Sequence, residues 1–475
     1  MERLQNFVNG ELVAPRSGRY APVIDPSTGE AYLEAPLSDA ADIDFACRSA
    51  REAFAQWRRT TPGERSLLLF RAADILEAHK EQLVDAESLN TGKPRHVMAE
   101  EEFPAIIDHL RFYAAAARDL RGLAAGSFAT GYESLVRREP LGVCGQVAPW
   151  NYPLNMGLWK FGPALAAGNT VVLKPSDTTP VSTVLAASLI GPLFPPGVFN
   201  VVVGDRDTGR ALVDHPVPAL ISVTGSERAG IEVSRAGASD LKRIHLELGG
   251  KAPVLVFEDA HVDTTAEQIA SAAFFNAGQD CEAACRVLVA DAVYDAFVEA
   301  LVAHAQATHY GPPHDTRAVY GPLNSAAHLA KVEGFFERLP EHAVVHCGGK
   351  ADRADGGYYF QPTVVTGVRQ DDEIIQEEVF GPVVTVQRFS SEAEAVELAN
   401  GVRFGLAASI WTHQHERVLR VTDALDFGKV WINCHLVIAP EMPNNGYKHS
   451  GNGNDISAYA IEEYTRIKHV MSYIP

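Results

Sequence analysis

The chain has 475 residues, 46% hydrophobic and 21% charged, the balance of an ordinary globular protein with room for large cores. Its formal net charge of −19 argues against nucleic acid and anionic membranes as partners, though not against an anionic cofactor, which helix N-termini can hold. Six cysteines, at 47, 144, 281, 285, 347 and 434, are too scattered for a disulfide framework.

The opening MERLQNFVNG shows no charged-then-apolar leader pattern. No apolar run reaches the ~18–20 residues of a membrane span, so a cytoplasmic protein with reduced thiols is expected. Residues 40–120 carry Ala-rich amphipathic helical patterns. The stretch 122–141, GLAAGSFATGYESLVRREPL, lacks a helical period and suits a projecting hairpin. From about residue 142, the runs TVVLKP, FNVVVG, ALISVTG, RIHLELGG and PVLVF read as strands buried on both faces, with amphipathic stretches between them. That alternation predicts parallel α/β sheets. It resumes after residue 281 with RVLVA, PTVVTGV, PVVTVQRF, AASIWT and KVWIN, so two α/β blocks split near Gly249–Gly250.

Several short stretches carry chemistry, each with a plainer reading beside it. FFNAGQDCEAACR places Cys281 and Cys285 four apart. A thiol attacks only as thiolate, and flanking Asp280 and Glu282 raise its pKa, so local sequence alone favours a structural cysteine. No Cys/His spacing suits zinc, and no metal site is expected; His413 and His415 fit a solvated helix start. TGSERAG follows a strand and precedes a helix, where Gly225 and the Ser226 hydroxyl suit a pyrophosphate or simply an ordinary turn. VVLKPSD puts Lys174 and Asp177 at a strand end, suiting a ribose or an incidental surface pair. Asn151 in APWNYPL suits an oxyanion donor or an Asx turn. SGNGND lacks a leading strand and reads as a loop.

Taken together and in this order, APWNYP, KPSD, TGS, HLELGGK, FNAGQDC and EEVFGP resemble the aldehyde dehydrogenase superfamily across essentially the whole chain. Within it, NAGQDC, KPSDTTPVST, GDRDTGRAL and EEYTRIKHVM are most similar to γ-aminobutyraldehyde dehydrogenases. The resemblance implies an α/β fold of three parts: a Rossmann-type NAD domain (1–121 and 141–249), an α/β catalytic domain (250–449) and a small β oligomerisation element (122–140 and 450–475). It implies a dimer or tetramer, NAD as cofactor and a small-molecule aldehyde as substrate.

Residue by residue, the resemblance makes Cys281 the nucleophile, Glu247 the general base and Asn151 the oxyanion amide, and leaves Cys285 to packing. It places Pro149, Trp150, Lys174, Ser176, Asp177, Gly209, Gly225, Ser226 and Leu248 along the NAD groove, with Glu378 and Phe380 at the nicotinamide ribose and ring. Trp159, Asp280, Glu102 and Asn444 fall to the substrate tunnel. Asp177 stands for a more usual glutamate and Val223 for phenylalanine. Glu227 and Glu282 replace small or neutral residues, and Asn444–Asn445 replace a more typical His/Phe-Gly. The implied reaction is oxidation of an aldehyde to a carboxylate through a cysteine thiohemiacetal and thioester.

A 4-aminobutanal-like substrate is expected, because an ammonium entering an apolar tunnel needs carboxylates. Glu101, Glu102 and Asp108 begin a helix at the tunnel mouth, with Glu101 and Asp108 on one face by their seven-residue spacing. The alternative for these acids is a solvated helix start. Betaine-type or general aliphatic aldehyde oxidation, CoA-dependent acyl transfer and a catalytically silent homologue are the alternatives for function.

Overall fold

The computed structural model describes residues 1–119, 122–353 and 356–475. The apolar β-branched runs form two large sheets. In the first, five parallel strands stand in the order Arg243–Glu247, Pro218–Thr224, Val143–Val147, Thr170–Lys174, Phe199–Val201. Both faces are covered, so Val171, Val172 and Leu173 are fully buried in succession. The chain steps outward from Val143–Val147 to Phe199–Val201, then returns to build the other half. The reversal leaves a crevice at the carboxyl ends of Val143–Val147 and Pro218–Thr224, where doubly wound sheets hold ligands.

The second sheet follows the order Val344–Cys347, Thr363–Thr366, Val383–Phe389, Arg286–Ala290, Pro253–Val256, Ala407–Trp411, Lys429–Ile432. All neighbours in it are parallel except the Val344–Cys347 edge. The chain passes from one sheet to the other between Glu247 and Pro253, across the two glycines read as the junction.

The 122–141 stretch contains the expected hairpin. Gly126–Ala129 pairs with Tyr132–Pro140, which pairs antiparallel with Thr465–Tyr473. Phe128, Ile467 and Tyr473 stay exposed on this arm. The boundary expected at residue 121 lies outside the described residues.

The tail departs from expectation. Residues 450–464, grouped with the arm from sequence, close the first sheet instead. Gly451–Asn452, within the segment read as a loop, pairs antiparallel with Leu246–Glu247. Helix Ser457–Glu463 then buries Ala460 and Ile461 in the first core. The sheet edge has backbone groups to satisfy, and this tail supplies both the pairing and the apolar cover.

Candidate active site

The carboxyl ends of the first sheet deliver one group after another to the crevice. Val147 leads into Pro149, Trp150 and Asn151; Lys174 into Ser176 and Asp177; Thr224 into Gly225 and Ser226; Glu247 into Leu248. A cavity of about 690 Å³ opens there, reaching across to the second sheet. Among the expected site residues, Cys281, Glu247, Asn151, Pro149, Trp150, Gly225, Ser226, Leu248, Glu378, Phe380, Trp159, Asp280, Glu102 and Asn444 all line it. Lys174, Ser176, Asp177 and Gly209 lie outside that cavity. Asp177 is exposed, and Gly209 packs on the Lys174 stem. The Lys174 ammonium donates to the Pro175 and Gly204 carbonyls at 2.8 and 2.7 Å, and burial pulls it down to about 8.

The Cys281 turn is built from an unusual backbone. Asn276, Ala277 and Gly278 are successive left-handed residues, with φ of 49°, 59° and 66°. A Cβ on Gly278 would sit 2.1 Å from the Gly381 carbonyl oxygen. The Asn276 amide donates to the Asn151 carbonyl at 3.1 Å and the Gln279 carbonyl at 3.2 Å. The Gln279 amide donates to the Asn276 carbonyl at 3.1 Å, and its oxygen accepts from Asn324 N–H at 2.8 Å. The Asn151 side chain donates to the Gln279 carbonyl at 3.0 Å, two residues from the thiol. Gly250 lets the loop close in, since a Cβ there would meet the Cys281 carbonyl oxygen at 2.1 Å. Cys285 does not line the cavity.

Burial pushes the Cys281 thiol well above its ordinary value, and Glu247, Asp280 and Glu282 push it further. Glu247 is buried, and apart from the Cys281 thiol its carboxyl has no hydrogen-bond partner among the described residues. Its carboxyl and the thiol are close enough to shift one another. Burial first, then Asp455, raises Glu247 well above the carboxylate range; the buried Lys160 acts the other way. Such a pair can keep the proton in the resting state and accept it from a nearby group when chemistry requires.

At the other end, Glu378 accepts from Gly250 N–H at 2.9 Å. Phe380 holds φ at 60° and meets the Trp150 ring edge-on at 5.3 Å. His328, which sequence reading missed, packs 5.0 Å from Trp150 and donates from Nε2 to the Phe380 carbonyl at 2.7 Å. Ser226 caps helix Glu227–Ala238, accepting from Ala229 N–H at 3.3 Å. Gly225 before it has only Val223 Cγ1, at 3.9 Å, near the position of its missing Cβ. A capped helix start beside an open glycine, next to an aromatic wall, suits a pyrophosphate joined to a flat ring.

Around the thiol, Asp280 accepts from the Tyr152 hydroxyl at 2.7 Å. Trp159 Nε1 donates to His109 Nδ1 at 3.0 Å. Glu102 is buried, with Oε2 on Lys93 Nζ at 2.7 Å and Oε1 unpartnered among the described residues. Asn444 exchanges backbone hydrogen bonds with Asp455 at 2.9 and 2.8 Å. The expectation that Glu101 and Asp108 share one face does not hold. A π turn over Met98–Glu102 inserts an extra residue before helix Phe103–Ala116. Glu101, Glu102, Ala105 and His109 therefore face the cavity, and Asp108 turns to a separate surface hollow with Lys80 and Arg111.

The model of the aldehyde dehydrogenase family matches residues 12–470. The chain belongs to the aldehyde dehydrogenase family. Mouse (Mus musculus) retinal dehydrogenase 2 is 39% identical over 476 residues, covering 99% of this chain and 92% of the relative. The solved structure of PnpE from Pseudomonas sp. WBC-3 superposes with a TM-score of 0.97 at 38% identity, covering 100% of this chain and 98% of that one. Betaine aldehyde dehydrogenase from Staphylococcus aureus, solved in complex with NAD+, gives 0.96 at 33% identity, with 99% and 95% covered. As an aldehyde dehydrogenase family member, the chain has the family's α/β fold, with mixed sheets around the cavity just described.

Proposed function

We propose that this aldehyde dehydrogenase oxidises small ω-aminoaldehydes such as 4-aminobutanal, using NAD, with Cys281 as nucleophile, Asn151 as oxyanion donor and Glu247 as general base. The observation that carries the reading is one cavity bringing those three side chains together under a strongly acidic lining. Glu101, Glu102, Glu247, Asp280, Glu282 and Glu378 all line it, with Lys331 as their lysine counterpart at the Glu378 end. A cationic tail entering there meets carboxylates, the unpartnered Glu102 Oε1 and the Tyr152 and Trp159 rings.

Trp150, Phe380, Glu378, Gly225 and Ser226 would hold the cofactor across the crevice, with Lys174 and Asp177 at its outer end. Bound NAD supplies the two-electron acceptor. Glu247 takes the thiol proton as Cys281 adds to the aldehyde carbon, and the Asn151 amide with the Cys281 backbone N–H steadies the oxyanion. Collapse of the thiohemiacetal leaves a thioester on Cys281. Once that first proton has been released to solvent, the ionised Glu247 takes a proton from the water that attacks the thioester, and the Cys281 sulfur leaves as the carboxylate product forms. A free carboxyl beside the thiol supports transfer to water over transfer to CoA. The proposed division is a nucleotide domain up to residue 249, a catalytic domain to 449, and an arm at 122–140 with strand Thr465–Tyr473, whose exposed apolar side chains suit a second subunit.

Leu436, Val437 and Ile438 also line the cavity. They favour a second reading, a general aliphatic aldehyde. A panel of ω-amino, trimethylammonium, aliphatic and carboxylate-bearing aldehydes of equal length, followed by NADH absorbance, separates the two. The aminoaldehyde reading expects the highest kcat/KM for 4-aminobutanal, and a Glu102→Gln variant that raises its KM far more than that of the neutral analogue. Equal effects on both, or preference for the aliphatic chain, would discard it.

A further inference from the structure

Glu282 follows the thiol directly and is 2% exposed. Its carboxylate accepts two hydrogen bonds from Lys429 Nζ, at 2.9 and 3.1 Å. Its backbone is held too: the N–H donates to Asp280 Oδ1 at 2.7 Å, and the carbonyl accepts from His435 Nε2 at 2.7 Å. Lys429 opens the edge strand Lys429–Ile432 of the second sheet, and its ammonium lies 4.9 Å from the centre of the Trp431 ring. The pair therefore ties the nucleophile turn to a sheet edge distant in sequence.

Three carboxyl groups face the thiol: Glu247, Asp280 and Glu282. Asp280 is held by the Tyr152 hydroxyl, a neutral donor that leaves its charge in place. Apart from the Cys281 thiol itself, Glu247 has no donor among the described residues, and Asp455 and Lys160 act on it in opposite senses. Lys93 is committed to Glu102, although its field reaches Asp280. Burial pulls His435 down to about 4, so it adds no charge near neutrality. Among the described residues, Lys429 is the one cation hydrogen-bonded to a member of this acidic trio.

We propose that Lys429 is a positioning residue of the reaction: by clamping Glu282 it cancels the charge beside Cys281 and fixes the turn that presents the thiol. The proposal rests on Cys281 being the nucleophile. It accounts for an acid standing next to a thiol that must ionise, since like charges oppose thiolate formation and a paired carboxylate opposes it less. Removing Lys429 leaves Glu282, whose pKa burial already raises, without its counter-charge beside the thiol. Removing Glu282 leaves an ammonium. The two losses push the thiol in opposite directions, whereas mere loosening of the turn would not.

The test is the pH profile of iodoacetamide alkylation on the full-length enzyme, from about pH 6 to 11, with alkylation rates also compared at fixed pH below the midpoint and the alkylated peptide mapped by mass spectrometry. Wild type, Lys429→Met, Glu282→Gln and the double variant are compared. The expected order of midpoints is Glu282→Gln below wild type and Lys429→Met above it, by about one unit each, so that alkylation at a fixed pH below the midpoint changes about tenfold. The double variant returns close to wild type. Single variants that move the same way, or a Lys429→Met profile that superimposes on wild type, overturn the proposal. If Lys429→Met does not fold, Glu282→Gln decides alone, and an unmoved or raised midpoint overturns it. Alkylation that stops turnover at a residue other than Cys281 refutes the nucleophile and this inference with it. Alkylation at Cys281 with unmoved midpoints refutes the role of Lys429 alone.

Discussion

Replacing Asn151 by Ala separates chemistry from folding, because the structure divides the work of its amide. One Asn151 N–H donates to the Gln279 carbonyl at 3.0 Å, but that carbonyl also accepts from the Asn276 amide at 3.2 Å. The carbonyl therefore keeps a partner in the variant, and the folding cost is that of one shared hydrogen bond, ~0.5–1.5 kcal/mol. The second N–H is left for the substrate. Losing an oxyanion donor costs ~3–4 kcal/mol of transition-state stabilisation, about 10²–10³ in kcat. Steady-state NADH formation should fall by that factor, while the melting temperature drops by a few degrees at most and NAD titration is unchanged. A fall of less than about tenfold would refute the oxyanion assignment. A large fall accompanied by collapse of the melting transition would refute the division of labour.

Gly278→Ala meets the Gly381 carbonyl oxygen at 2.1 Å and must hold φ at 66°; the conformation alone costs ~1–3 kcal/mol, so thermal denaturation should show a clear loss of stability, and an unshifted melt would contradict the loop geometry. Burial holds the Glu247 carboxyl above its unfolded value, so the folded state favours its protonated form. Its contribution to stability is full below the unfolded pKa and is lost as pH rises through the folded one, whereas base catalysis needs the ionised form and gains with pH. Melting temperatures from about pH 5 to 9 should therefore decline less steeply in Glu247→Gln than in wild type; parallel declines would contradict the shift. Asp177 is exposed just past strand Thr170–Lys174, and its proposed place is at the cofactor's ribose. It should disfavour a 2′-phosphate, giving kcat/KM for NAD at least about tenfold above NADP, the factor that ~1.4 kcal/mol produces; equal values would remove Asp177 as the selector.

The strands were readable because fully buried β-branched runs such as Thr170–Lys174 leave a clear pattern, whereas their order in the sheet, and with it the crevice, came only from the structure. Cys281, Glu247 and Asn151 were legible only through the co-occurrence of six motifs and the family resemblance it carries; local sequence by itself favoured a structural cysteine at 281 and suited an Asx turn at 151 as well. The partners that set the site's electrostatics were not readable. Glu282 was visible as an odd acid, but its clamp, Lys429, is 147 residues away. Glu227 was visible likewise, whereas Arg403, which binds it at 2.8 Å and also holds Glu377, comes from the second sheet's side. His328 carries no local signal at all, being placed by its contact with Trp150 and Phe380. Asp108 failed for a different reason. A seven-residue spacing assumes a continuous α-helix, and one π turn at Met98–Glu102 rotates every later side chain out of that register.

The central claim is covalent turnover at Cys281, and the most direct measurement is rapid mixing of the Glu247→Gln enzyme with NAD and 4-aminobutanal, followed by quenching and intact-protein and peptide mass spectrometry. One equivalent of NADH per subunit should appear in a burst, with an acyl adduct on the Cys281 peptide that persists because its hydrolysis lacks a base. Full steady-state turnover, or an adduct carried by Cys285 or any other residue, would contradict the account.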